Sequence, residues 1–131
     1  MYLLDTNTLI YFFKRQGKVE QHLKANPKSL IHVPSVVWFE LEYGLLRSSK
    51  PEQRRQLLQL TQNTYGSVPF DQACAKVCAG IKHALQTAGT PIGHYDLLIA
   101  GTALTHNFTV VTRNIREFER VPGLKIENWY D

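Results

Sequence analysis

No run of apolar residues in this 131-residue sequence approaches the roughly 18 that a membrane span requires. The opening segment also lacks the basic-then-apolar layout of a secretory signal, because Asp5 interrupts it at once. These absences point to a cytoplasmic protein with no membrane partner. Repeats, linkers and low-complexity stretches are missing too, so the expectation is a single domain over residues 1–131. Cysteine is scarce: Cys74 and Cys78 stand four apart in a segment with helical periodicity. Side chains on successive helical turns seldom meet disulfide geometry, and a zinc site would want two more ligands where only His83 stands near. Both thiols are therefore expected to be reduced and packed.

Acids are the minority charge, eleven against fifteen Lys and Arg, for a net charge of +4. A basic balance is compatible with a polyanionic partner. The cations gather as Lys14, Arg15 and Lys18, then Arg47, Lys50, Arg54 and Arg55, then Arg113, Arg116 and Arg120. Each cluster by itself reads as solvated surface. With 44% hydrophobic and 20% charged residues, the composition excludes a disordered chain, and the length suffices for a real core.

Short apolar runs alternate with helical stretches. Strands are expected at 2–4, 30–33, 67–70, 108–112 and 124–127, the last at an edge. Helices are expected over 7–14, 18–25, about 35–47, 51–63, 72–88 and 95–107, with a helical turn at 116–119. Asp71 reads as an N-cap, and GTPIGHYD (89–96) as a glycine-rich loop. Strands separated by helices argue for an α/β fold, a parallel sheet covered on both faces. Ligands in such sheets bind beyond the carboxyl ends of the strands.

That rule directs attention to the scarce acids. Asp5 ends the first strand and precedes a helix, so it serves as an N-cap, a ligand, or both. Asp96 opens an apolar helix after the glycine-rich loop. Glu40 has Val36, Val37, Tyr43 and Gly44 as helical neighbours and needs a partner, because an isolated buried carboxylate costs several kcal/mol. Glu42 has similarly apolar neighbours, and periodicity does not choose between them. After the fourth strand come Thr112, Asn114, Glu117 and Glu119. If such carboxylates converge, they stay ionised only beside a cation. Oxygen donors without Cys or His favour Mg²⁺ or Mn²⁺, which suits attack of an activated water on a phosphodiester.

The segments LLDTNTLI, SVVWFELEYGLLRS, GTPIGHYDLLIAGTAL and VVTRNIREFERVPGLKIENW, in this order, resemble the PIN-domain ribonucleases, and within them the VapC toxins of type II toxin–antitoxin pairs. The resemblance spans nearly the whole chain. It implies a three-layer α/β/α fold with about five parallel strands in order 3-2-1-4-5 and a Mg²⁺ site (Mn²⁺ a substitute). The metal-site acids carried over are Asp5, Glu40 and Asp96, with Asn7 and Thr112 as supporting residues. It also implies a Mg²⁺-dependent endoribonuclease acting on a structured RNA such as tRNA, a small VapB-like antitoxin that blocks the site, and a homodimer.

Two positions depart from the family pattern. Many relatives carry an aspartate where this chain has Asn114, so the fourth catalytic position belongs either to that amide or to Glu117 reaching in. His94 replaces a frequent proline, and either touches RNA phosphate or sits on the loop. Two rival classes remain. A haloacid-dehalogenase-type phosphatase would need its second aspartate at Asn7, which argues against it. A non-catalytic RNA-binding module would keep the basic surface without needing Asp5, Glu40 and Asp96 together.

Overall fold

A computed structural model describes residues 1–131. The chain runs β1 (Tyr2–Leu4), α1 (Thr6–Phe13), α2 (Val19–Ala25), a 3-10 turn (Lys28–Leu30), β2 (Ile31–Pro34), α3 (Ser35–Leu46) and α4 (Pro51–Thr64). It continues through β3 (Gly66–Val68), α5 (Gln72–Thr87), α6 (His94–His106), β4 (Thr109–Val111), α7 (Ile115–Phe118) and β5 (Lys125–Glu127). The five strands form one all-parallel sheet in the order β3-β2-β1-β4-β5. The expected α/β architecture and strand order are both present.

Leu3 and Leu4 of β1, and Val110 and Val111 of β4, are completely buried. Consecutive buried residues in a strand mean that both sheet faces are covered, the pattern of a central parallel strand. At the edge, Lys125 and Glu127 of β5 are exposed while Ile126 is half-buried. No helix is long and apolar enough to cross a membrane.

Local chemistry sets the element ends. Asp71 Oδ1 accepts from the Cys74 amide at 3.0 Å and so caps α5. Pro51 opens α4, where its missing N–H is not needed. The third strand stops at Val68, short of the expected 67–70, since Pro69 has no N–H for the ladder. The sixth helix starts at His94, so this residue is helical and not part of the loop.

Both cysteines are buried and free. Burial and then the neighbouring Cys74 push the Cys78 thiol up to about 11, which leaves it inert. Its place depends on Gly101: a Cβ there would fall 2.0 Å from Cys78 Sγ. Glycine thus lets α5 and α6 pack closely, and α6 carries Asp96 in its first turn.

Candidate active site

From the central β1 the chain moves outward to β2 and β3, then returns to place β4 on the other side of β1. The crevice between β1 and β4 is therefore a topological switch point. Leu4 pairs with Val111 in register, so Asp5 and Thr112 each follow directly. The Asp5 amide donates to the Val111 carbonyl at 3.2 Å, and Thr8 Oγ1 donates to the same oxygen at 3.0 Å. These bonds tie the two strand ends together beneath the site.

Asp5 is 3% exposed, and its Oδ1 accepts from the Thr8 amide at 2.9 Å. It is a helix cap in addition to facing the crevice. Burial holds its carboxyl above the usual range, against the opposing bonds from Thr112 and Thr8. The Thr112 hydroxyl is fully buried, bonds Asp5, and accepts from the Asn114 amide at 3.0 Å. Glu40 projects from α3 and receives the Thr6 hydroxyl on Oε1 at 2.6 Å. Glu42 lies exposed and receives only Gln62 Nε2, at 3.4 Å. The fold therefore separates two glutamates that the helical pattern leaves equivalent.

Asp96 stands in the first turn of α6. Its carboxyl is pushed up to about 7, by burial first, then by the charges of Glu117 and Asp5, a hydrogen bond with Glu117, and the charge of Glu40. Each of the three other acids is thus near enough for its charge to reach Asp96. Glu117 shifts the other way. Burial pushes it up, but donation from the Gly93 amide, the Asn114 side chain and Asp96, with the charge of Arg120, holds it below the usual range. Asn114 Nδ2 reaches Glu117 Oε2 at 2.7 Å, and the Gly93 amide takes Oε1.

The fold brings together Asp5, Glu40, Asp96, Glu117, Thr112 and Asn114. Asn7 is exposed and lines the adjoining cleft with Asp5, Tyr11, Arg113 and Asn114. His94 instead lines a separate groove with Lys82, Gln86 and Ile92. Thr6 and the Gly93 amide are contributors that sequence reasoning missed. The glycine-rich loop before Asp96 was a signal for Gly93, whereas nothing singled out Thr6.

No three of the His, Cys, Asp and Glu side chains stand close enough together to hold a metal ion by themselves. The donor chemistry here, carboxylate oxygen without thiolate or imidazole, is of the kind that suits a hard divalent cation. Mg²⁺ commonly takes one or two carboxylates and keeps its remaining waters, and a cation relieves the repulsion that raises Asp96.

The family model described as "PIN domain" matches residues 2–124. Ribonuclease VapC2 of Rickettsia felis is 36% identical over 98% of each chain. The tRNA(fMet)-specific endonuclease VapC of Salmonella typhimurium is 34% identical over 98% of this chain and 97% of the relative. Among solved structures, VapBC2 from R. felis, bound to a DNA fragment from its promoter, superposes with a TM-score of 0.91 at 35% identity, covering 98% of each chain. DNA-bound VapBC from S. typhimurium gives 0.92 at 35% identity, over 98% of this chain and 97% of that one. With a family match from residue 2 to residue 124 and such relatives along nearly its whole length, this chain belongs to the PIN domain family, among the VapC ribonucleases.

Proposed function

We propose that this chain is a Mg²⁺-dependent endoribonuclease of the cytoplasm and the toxin of a type II toxin–antitoxin pair, hydrolysing phosphodiester bonds in a structured RNA. The observation that carries the reading is Asp96, raised to about 7 by burial and by Glu117, Asp5 and Glu40. Asp5 has a structural use as the cap of α1, but crowding further acids near it, in a chain of net charge +4, has a clear chemical one.

Asp5, Glu40 and Asp96 would hold Mg²⁺, with Mn²⁺ as a substitute. When bound, the ion neutralises phosphate charge and lowers the pKa of water in the site. The chain's own residues do the rest. Thr8 and Thr112 fix the Asp5 carboxylate, and Thr6 fixes Glu40. Glu117, held by Gly93 and Asn114, faces Asp96 and takes part in catalysis as the fourth acid.

A tRNA is the favoured substrate, because the Salmonella relative is named for one. A small VapB-like antitoxin is the favoured inhibitor, since the neighbouring structures are VapBC assemblies; the resemblance to the VapC toxins supports a homodimer as the working form. The test is cleavage of tRNA by the purified chain, with ends mapped, in Mg²⁺ and in chelator. Mg²⁺-dependent cuts that disappear in a folded Asp96→Asn variant are expected. RNA binding without cleavage by the wild type would leave the non-catalytic module as the better reading.

A further inference from the structure

The short segment that organises the acids also carries a cation. Thr112 bonds Asp5 and Asn114 bonds Glu117, and Arg113 lies between them. Its guanidinium carbon sits 3.6 Å from the centroid of the Tyr130 ring and 5.7 Å from that of Tyr11. The two rings meet edge to face at 4.6 Å, so they form one platform. Arg113 is thus not simply the solvated cation that the late basic cluster suggests.

Its pairing is unusual for an arginine beside an acid cluster. The only carboxylate within 4.0 Å is Asp131, at that limit, with both side chains largely exposed. Such a contact contributes little. Neither Asp5 nor Glu117 takes the charge. Arg113 shares its cleft with Asp5, Asn7, Tyr11 and Asn114 and is the one cation there. Stacking on Tyr130 holds the guanidinium by its face and a hydrogen bond to the Tyr11 hydroxyl fixes its rotation, while no carboxylate nearer than Asp131 takes the N–H groups that remain, donors of the kind that bind phosphate. A polyanion approaching several carboxylates needs an anchor of opposite sign nearby.

We infer that Arg113, held on Tyr130 and Tyr11, is the residue that anchors an RNA backbone phosphate in the cleft beside Asp5 and Asn114. It is a positioning residue, and the inference rests on the endoribonuclease reading above. Its consequence is a division of labour within residues 112–114: two side chains aim the acids, and the one between them holds the chain to be cut.

The test measures binding of a fluorescently labelled tRNA by anisotropy across a range of KCl, with chelator present to prevent cleavage. Wild type, Arg113→Gln and Arg113→Lys are compared, and cleavage in Mg²⁺ is followed in parallel. Arg113→Gln is expected to weaken binding on the order of tenfold and to reduce the salt slope by about 0.7–1. It should also raise KM more than it lowers kcat. Arg113→Lys should recover the slope but only part of the affinity, because lysine keeps the charge without the planar fork. A merely structural Arg113 would change the melting temperature and leave the slope alone. If wild type binds and cleaves while Arg113→Gln keeps the same affinity and slope, the anchor is wrong and the nuclease reading stands. If wild type neither binds nor cleaves RNA, both fall.

Discussion

Asn114 donates from Nδ2 to Glu117 Oε2 across 2.7 Å, while the Gly93 amide takes the other oxygen of the same carboxylate. The amide supports an acid three residues further on, which itself meets Asp96. Glu117→Gln is therefore expected to lower kcat on the order of 10²-fold, the scale of losing one electrostatic group in a site. Asn114→Asp places a second negative charge against Glu117 and should also lower activity. A silent Glu117→Gln with an activating Asn114→Asp would reassign the fourth position to residue 114.

Metal-free stability should depend on pH through Asp96. Folding raises its pKa from 3.8 to about 7, so the folded chain keeps a proton that the unfolded chain has released across that interval. The stabilisation is full below about 3.8 and is lost as pH rises through about 7. Asp5, also raised, acts in the same direction, whereas Glu117 is lowered and acts in the opposite one. Melts in chelator should show the melting temperature falling from pH 5 to pH 8. Asp96→Asn should flatten most of that fall, and an unchanged slope would remove Asp96 from the cluster.

Asp5 can be dissected because Asn caps a helix about as well as Asp. Asp5→Asn keeps the bond to the Thr8 amide and removes a charge from the crowded crevice. Its melting temperature in chelator should exceed that of wild type, and the further rise on adding Mn²⁺ should shrink or vanish. Asp5→Ala also loses the cap, at a cost of roughly 0.5–2 kcal/mol. Identical melts and identical Mn²⁺ responses for wild type and Asp5→Asn would make Asp5 a cap alone.

The α5–α6 contact gives a prediction away from the chemistry. Gly101→Ala puts a methyl group 2.0 Å from Cys78 Sγ if nothing moves, so the helices must shift. Denaturant unfolding should show a loss of about 1–3 kcal/mol, the usual cost of overpacking. Adding Cys78→Ala should recover part of it, since the obstructing sulfur is gone. Full stability in Gly101→Ala would mean that the helices separate freely.

The order of elements and the parallel sheet were legible in the sequence. Local periodicity and apolar content record burial, and Asp71 and Pro51 mark helix starts through bonds a few residues away. The metal-site acids were proposed from strand ends, helix starts and the resemblance. Helical periodicity left Glu40 and Glu42 equivalent and only the resemblance favoured Glu40; the packing of α3 gives the physical difference, because it decides which one meets Thr6. Tertiary structure also put His94 in a groove apart from the acids and set Glu117 against Asp96 with Asn114 behind it. The physical reason is range. Caps and periodicity act within a turn or two of the chain, whereas the charge on Asp96 is governed by residues distant in sequence that only the folded sheet brings together.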